Sequence, residues 1–202
     1  SKLHKLQFPA IPIYLFNAKS ITSPKNNSLV FVGRVTWRKG LHVLIKALPL
    51  LMADVENIKL SVIGPKDDSY AICVKDLINK FKLNDHVEIK GILSEQEKIA
   101  LIASNQLLVL PSLNDYTPNV VLEAQVLGVP VVASDVGAVS ELVVNKETGL
   151  LVAPDDPAQL AEALKTILLD DALREKMSTQ AKEHAKKFAL KNTVRELEEL
   201  YN

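Results

Sequence analysis

The chain has 202 residues and carries 24 basic and 24 acidic side chains, so its formal net charge is zero. This length accommodates one α/β domain with a sizeable core. The neutral balance argues against a nucleic-acid or acidic-polymer partner, because proteins that bind such polymers usually carry a basic stripe.

Cysteine, histidine and hydropathy narrow the class of protein further. The single cysteine, Cys73, excludes an intrachain disulfide framework and is compatible with a reducing compartment. It lies beside Ile72 and Val74 in a predicted helix, and we expect a buried structural thiol. The four histidines lack ligand spacing, so we expect neither a metal site nor a cofactor. No apolar run approaches the ~20 residues that span a bilayer, which predicts a cytoplasmic protein and leaves attachment to a membrane surface through another domain open.

Residues 1–28 are predicted to form an N-terminal extension and linker, because Asn17–Ser28 is a polar connector. The domain proper is predicted over residues 29–202. Apolar runs and helical periodicity predict alternating strands and helices in its first half. These are a strand at Leu29–Val32, a helix at Gly40–Ala53, a strand at Lys59–Gly64, a helix at Ser69–Phe81 and a strand at Val87–Gly91.

The alternation continues through the second half and ends in helices. The capping box Ser94–Glu97 is predicted to open a helix, which is followed by a strand at Leu107–Leu110. Pro118 suits the first turn of the next helix, and Gly128 suits the residue just past its end. The remaining predicted elements are a strand at Val129–Ala133, a short helix near Ala138–Val143, a strand at Gly149–Val152 and helices from Pro157 to Tyr201. Leu197, Leu200 and Tyr201 are expected to form an exposed apolar patch. The pattern predicts a Rossmann-like α/β/α domain in three layers, with a parallel sheet of about six strands.

The stretch from Pro111 to Ser134 carries the strongest chemical signal. Glu123 lies among apolar residues in a predicted helix, and a buried unpaired carboxylate costs several kcal/mol. We therefore expect it to have a partner, which is either a ligand or nearby backbone. Asp115 precedes it by eight residues, and Asn119 shares its helix face, which is predicted to point toward the loop around Asp115. Asp115 also suits a simple turn aspartate.

A basic loop follows the first predicted strand and contains Gly33, Arg34, Arg38, Lys39 and Gly40. A strand–loop–helix junction presents free backbone N–H groups and a positive dipole end, which favour phosphate. Arg34 can fork onto phosphate oxygens, Lys39 adds a point charge, and Gly40 would let a ligand approach the backbone. The alternative is a solvated basic turn. Trp37 is predicted to be a packing or lid residue.

Several segments together resemble a known family. PSLNDYTPNVVLEAQVLGVPVVAS (Pro111–Ser134) is similar to the signature of retaining GT-B glycosyltransferases, in particular glycosyltransferase family four, the glycosyl transferases group 1. FVGRVTWRKGLHVLIKAL, SVIGPKD, VEIKGILSEQE and DVGAVSELVVNKETGLLVAPDDP resemble further segments of that family in the expected order. The resemblance covers roughly Leu29 to Phe188 and implies one half of a GT-B fold, the C-terminal donor-binding domain.

The resemblance implies roles for individual residues. Arg34 and Lys39 would hold the donor diphosphate, Glu123 would bind the ribose, and Asp115 would contact hydroxyls of the transferred sugar. Arg34, Lys39 and Asp115 are thus the predicted catalytic residues. The remaining predicted donor-binding residues supply backbone: Gly33, Gly64 and Gly91 at strand ends, and Asn119 and Val120 at a helix start. Gly64 and Gly91 also suit simple turn glycines.

The chain departs from the family pattern at one place. The family usually has Glu followed by a Gly-aromatic-Gly segment, whereas here Asp115 is followed by Tyr116, Thr117 and Pro118. Asp is one methylene shorter than Glu, and Pro118 has no N–H to offer a phosphate. The departure bears on which sugar is bound and on activity.

The resemblance implies transfer of a hexosyl unit from a nucleoside diphosphate sugar to an acceptor, with retention of anomeric configuration. It extends to the donor domain alone, so we expect an isolated half that binds nucleotide sugar weakly and transfers nothing. The N-terminal acceptor-binding domain would belong to the full protein or to a separate subunit. The alternative is a non-catalytic nucleotide-binding or subunit-interaction module. A nucleotide-sugar epimerase of similar fold fits the segments less well.

Overall fold

The computed structural model of the protein describes Leu15 and residues 24–116 and 118–189. The first half contains the strands β1 (Ser28–Val32), β2 (Lys59–Ile63) and β3 (Val87–Gly91), which alternate with the helices α1 (Leu41–Leu51) and α2 (Asp68–Lys80). A short 3-10 turn, Trp37–Lys39, lies between β1 and α1.

The second half repeats the alternation and closes with two long helices. In chain order it contains α3 (Glu95–Ala103), β4 (Leu107–Leu110), α4 (Asn119–Leu127), β5 (Val131–Ser134), α5 (Val139–Leu142), β6 (Gly149–Val152), α6 (Pro157–Leu168), α7 (Asp171–Ala185) and a 3-10 turn at Lys186–Phe188. The elements predicted within the described residues are all present, with ends shifted by at most a few residues. The predicted patch at Leu197, Leu200 and Tyr201 lies outside the described residues, as does most of the predicted linker.

Local signals account for several helix ends. The Ser94 side chain accepts the Glu97 N–H, and Glu97 bonds back to Ser94, which is the predicted capping box at the start of α3. The side chains of Asp156 and Asp170 also act as N-caps, because they accept backbone N–H groups at the starts of α6 and α7. Gly128 ends α4 in the left-handed conformation, with φ of 74°. Pro118, predicted within the first turn of α4, lies one position earlier, as its N-cap.

The six strands form one parallel sheet in the order β3-β2-β1-β4-β5-β6. The predicted three-layer α/β/α fold is thereby confirmed. Successive strands are added outward from β1 to β3, and the chain then returns to the other side of β1 with β4. The carboxyl ends of β1 and β4 therefore form the switch point, where open α/β sheets bind ligands.

Helices cover both faces of the sheet, and each helical layer packs on apolar residues of the strands. Leu29 and Phe31 of β1 pack on one side in a cluster with α1, α2 and α6, while Val30 faces the other side with α3, α4, α5 and α7. All three side chains are fully buried, and burying each contributes about 2 kcal/mol. An unbroken apolar run, here Leu29–Val32, is typical of a strand in a sheet covered on both faces.

Two further expectations have structural outcomes. Cys73, predicted to be buried, is exposed, because α2 turns Tyr70, Val74 and Ile78 toward the core instead. None of the helices in the described part of the chain is long and apolar enough to cross a membrane.

Candidate functional site

The three predicted strand-end glycines lie side by side at the carboxyl edge of the sheet. The Gly33 N–H donates to the Ile63 carbonyl at 2.9 Å, and the Gly64 N–H donates to the Gly91 carbonyl at 2.8 Å. A Cβ on Gly64 would lie 2.2 Å from the Gly33 carbonyl oxygen, whereas a Cβ on Gly91 would meet nothing within 4 Å. Packing of the protein's own backbone therefore explains Gly64, while Gly91 borders open space that a ligand can occupy.

The basic loop after β1 packs directly on the loop after β4. The Leu113 N–H donates to the Arg38 carbonyl at 2.8 Å. A Cβ on Gly40 would lie 1.8 Å from the Pro111 carbonyl oxygen. The expectation that Gly40 admits a ligand is wrong, because the space beside it is filled by the backbone of the neighbouring loop. The Arg34 side chain is exposed at this edge.

Lys39 and Asp115 join the two loops through their side chains. The distance from Lys39 Nζ to Asp115 Oδ2 is 2.6 Å, and the same oxygen accepts from Ser112 Oγ at 3.2 Å. Only 6% of Asp115 is exposed. Its carbonyl accepts the Ala138 N–H at 3.1 Å, so both its side chain and its backbone are fixed. The predicted diphosphate-binding lysine and sugar-contacting carboxylate thus meet as an ion pair.

Glu123 has a partner that sequence reasoning missed, Lys98 of α3. Lys98 Nζ lies 3.0 Å from Glu123 Oε1 and 2.9 Å from Glu123 Oε2, and 3.0 Å from Glu95 Oε2. Burial lowers the pKa of Lys98, but its hydrogen bonds to Glu123 and Glu95 outweigh burial and raise that pKa above its ordinary value. Glu123 therefore faces α3, whereas the face that it shares with Asn119 was predicted to point toward the loop around Asp115.

Asn119 and Val120 are the first two residues of α4. Their N–H groups have no acceptor within the helix, because the first turn of any helix lacks one. Asn119 is exposed and Val120 is half-buried. Both N–H groups therefore stand at the carboxyl edge of the sheet, at the positive end of the α4 dipole.

An aromatic cluster supports the base of the basic loop. The Trp37 ring stacks on His42 with a centroid distance of 4.0 Å and an interplanar angle of 14°. The Tyr70 hydroxyl accepts the His42 backbone N–H at 3.0 Å and lies 2.7 Å from His42 Nδ1. Burial raises the pKa of Tyr70 to about 12 and, with nearby Lys46, lowers the pKa of His42. One face of Trp37 thus packs on His42, while 59% of the residue remains exposed, so the choice between a packing and a lid residue stays a prediction.

Two cavities of the described structure lie away from this edge. One of about 510 Å³ lies at the amino ends of β1 to β3, beside Lys59 and His86. Another of about 520 Å³ lies between the β6 start and α7. The carboxyl edge is an open surface instead. In the described ranges, no group of three or more His, Cys, Asp or Glu is placed to hold a metal ion.

Comparison with known proteins identifies the family. The family described as glycosyl transferases group 1 matches residues 16–184. The chain belongs to this family. Over 176 residues it is 32% identical to D-inositol 3-phosphate glycosyltransferase of Corynebacterium urealyticum, an alignment that covers 85% of this chain and 42% of that protein. The chain therefore spans less than half the length of this curated relative.

Solved structures share the fold. HepE of Anabaena, solved in complex with UDP, superposes with a TM-score of 0.81 at 23% identity, over 87% of this chain and 48% of HepE. The C-terminal domain of LpcC, a glycosyl transferase group 1 family protein of Francisella tularensis, superposes with a TM-score of 0.75 at 22% identity, over 83% of this chain and 89% of that domain. The group 1 glycosyltransferase domain implied by the sequence resemblance is confirmed.

Proposed function

We propose that this domain binds the donor of a glycosyltransferase that transfers a hexosyl unit from a nucleoside diphosphate sugar, with retention of anomeric configuration. The observation that carries the proposal is the meeting of Lys39 with Asp115 at the switch point of the sheet. The ammonium proposed to bind phosphate and the carboxylate proposed to bind a sugar hydroxyl are there within one hydrogen bond of each other. Membership of the glycosyl transferases group 1 family supports the reaction class.

The diphosphate takes the positive end of the site. Arg34 and Lys39 bind its oxygens, and the N–H groups of Asn119 and Val120 donate to it from the start of α4. As the bond between sugar and diphosphate breaks, negative charge grows on the leaving group. Groups already aimed at that charge stabilise the transition state more than the ground state. The proposal therefore needs neither a metal ion nor a cofactor to carry the charge.

The two members of the Lys39–Asp115 ion pair exchange each other for groups of the donor when it binds. Before the donor binds, the Lys39 ammonium and the Asp115 carboxylate form an ion pair, so the buried carboxylate is not left unpaired. When the donor binds, Lys39 turns to the diphosphate and Asp115 accepts a hydroxyl of the sugar. Glu123 binds the ribose from the second turn of α4. The UDP held by HepE supports a nucleoside diphosphate as the ligand class and makes uridine the first base to test.

The acceptor is proposed to bind a second domain, which faces this edge. The chain spans 42% of the D-inositol 3-phosphate glycosyltransferase that it resembles. Three large apolar side chains are exposed in loops at the carboxyl edge: Trp37, Ile92 and Tyr116. The N-terminal region of a longer protein, or a separate subunit, would cover them and close the site. The isolated 202-residue chain is therefore expected to bind nucleotide sugar weakly and to transfer nothing.

Calorimetric titration of the chain with UDP, GDP and ADP, each with and without an attached glucose, tests the proposal. We expect one nucleotide to bind selectively and the Glu123→Ala variant to lose at least about tenfold in affinity, because hydrogen bonds to a charged group are lost. Glu162→Ala is the matched control, because Glu162 is also a helical glutamate paired with a lysine, Lys165, but on α6. Absence of binding at millimolar ligand, or equal loss in both variants, would contradict a donor site at Glu123. With the acceptor half restored, the anomeric configuration of the product, read by NMR, tests retention.

A non-catalytic nucleotide-binding module is the second candidate. It is favoured by the two ion pairs, Lys39–Asp115 and Lys98–Glu123, which satisfy the charges of the site without a ligand. The same titration separates the two functions. A donor domain binds the nucleotide sugar more tightly than the bare nucleotide, since Asp115 contacts the sugar, whereas a module shows no such preference.

A further inference from the structure

Lys98 is built into the site from a different helix than the carboxylate it contacts. It is the fourth residue of α3, and Glu123 is the fifth residue of α4. Both helices begin at the carboxyl edge of the sheet, so the two charges lie at similar depth below that edge, about one helical turn in. Lys98 is 19% exposed and Glu123 is 17% exposed. The pair therefore joins α3 to α4 one turn below the carboxyl edge.

The contacts of Lys98 are unequal in how readily they can be replaced. Its ammonium has three N–H donors. It donates to Glu123 Oε1 at 3.0 Å and lies 3.0 Å from one Glu95 oxygen, whereas Glu123 Oε2, 2.9 Å away, is buried without a hydrogen-bond partner in the described structure. The Glu95 side chain is 50% exposed, so water can hydrate it when the contact is broken. Glu123 has no comparable access to water. A hydroxyl oxygen that enters the site therefore displaces Glu95 rather than Glu123.

We propose that Lys98 and Glu123 together read the vicinal diol of a ribonucleoside diphosphate, so that Lys98 determines the preference for ribose over 2′-deoxyribose. The proposal rests on the donor site described above. Each ribose hydroxyl has one proton to donate and lone pairs to accept with. Glu123 accepts the two protons, and Lys98 donates to a hydroxyl oxygen in place of its bond to Glu95.

A 2′-deoxyribose lacks the 2′-hydroxyl, so it cannot form all the hydrogen bonds that Lys98 and Glu123 offer. One Glu123 oxygen loses its donor, and Lys98 loses a hydroxyl acceptor, inside a half-buried site. Sites built to hydrogen-bond a hydroxyl reject the analogue that lacks it, because the polar groups of the site are left unpaired. Glu123 alone would recognise the protons of the diol, whereas Lys98 adds recognition of its oxygens.

The test compares UDP, GDP and ADP with their 2′-deoxy counterparts by calorimetry on the full chain. We expect the wild type to bind the ribose form at least about tenfold more tightly. The Lys98→Met variant keeps the length and much of the packing of the stem, and its ribose preference is expected to fall to about threefold or less. Lys98→Arg is expected to keep most of the preference, because a guanidinium also donates to a hydroxyl and an adjacent carboxylate.

The ratio of the two affinities separates site chemistry from structure. A merely structural Lys98 would weaken both forms equally in the Met variant, and an unchanged ratio would overturn the proposal. Glu95→Ala is the matched control, because it removes the exposed contact and leaves the Lys98–Glu123 pair; its ratio is expected to stay at the wild-type value. Failure of the wild type to bind any ribose nucleotide would overturn the donor site itself, and this inference with it.

Discussion

Lys39 and Asp115 of this site form a largely buried ion pair. Asp115 is 6% exposed and Lys39 is 19% exposed, and their charged atoms are 2.6 Å apart. Removing one member of a buried pair leaves the other charge without compensation, which costs about 3–5 kcal/mol, whereas replacing both costs much less. The stability of the loop thus depends on the pair and less on either residue.

A double-mutant cycle tests this dependence. Lys39→Met is expected to lower the free energy of unfolding by about 3 kcal/mol, because the Asp115 carboxylate is left buried and unpaired. Lys39→Met with Asp115→Asn should recover at least about half of that loss, since no charge is then stranded. Urea unfolding followed by circular dichroism measures both values. Additive losses in the double variant would show that the two side chains do not compensate each other.

The sequence predicted which residues carry charge but not which ones meet. The apolar surroundings of Glu123 correctly required a partner, and the expected partner was a ligand or backbone. The observed partner, Lys98, lies 25 residues away in the chain, and Lys39 and Asp115 are 76 residues apart. Such pairings depend on which helices and loops the sheet brings together, and local patterns contain no information on that. A lysine one turn inside a capped helix is ordinarily a surface residue.

At the scale of elements, the loops after β1 and β4 behave as one unit. The Leu113–Arg38 hydrogen bond and the approach of Gly40 to Pro111 join them through backbone. The elements themselves were predictable, because buried strands read as apolar runs and caps mark helix starts. The close contact between the loops was not, since a glycine looks the same in sequence whether it faces a ligand or a carbonyl.

Alanine at two glycines separates backbone strain from this contact. Gly40 and Gly91 have similar φ angles, 68° and 71°, but a Cβ at Gly91 meets nothing within 4 Å. Gly91→Ala is expected to cost about 1 kcal/mol of stability, from the left-handed conformation alone. Gly40→Ala is expected to cost at least about 2 kcal/mol more, because the Pro111 loop must move. Thermal and urea unfolding measure the difference, and equal costs would mean that the loops are not packed as described.

At the scale of the whole molecule, the order of the strands decides where a ligand can bind. The reversal between β1 and β4 places the switch point at their carboxyl ends. All nine predicted site residues lie at this edge or about one helical turn below it. Two cavities lie elsewhere, at the amino ends of β1 to β3 and beside α7. A parallel sheet was predictable from the alternation of elements, whereas the open form of the site depends on tertiary packing.

The most direct test of the account is to map UDP binding on the chain by NMR amide shifts. If UDP binds at the carboxyl edge, the largest amide shift changes are expected on the N–H groups of Gly33, Gly91, Asn119 and Val120. In the Lys39→Met variant these shift changes are expected to be smaller at the same UDP concentration. Changes centred on Lys59 and His86, at the 510 Å³ cavity of the opposite edge, would contradict it.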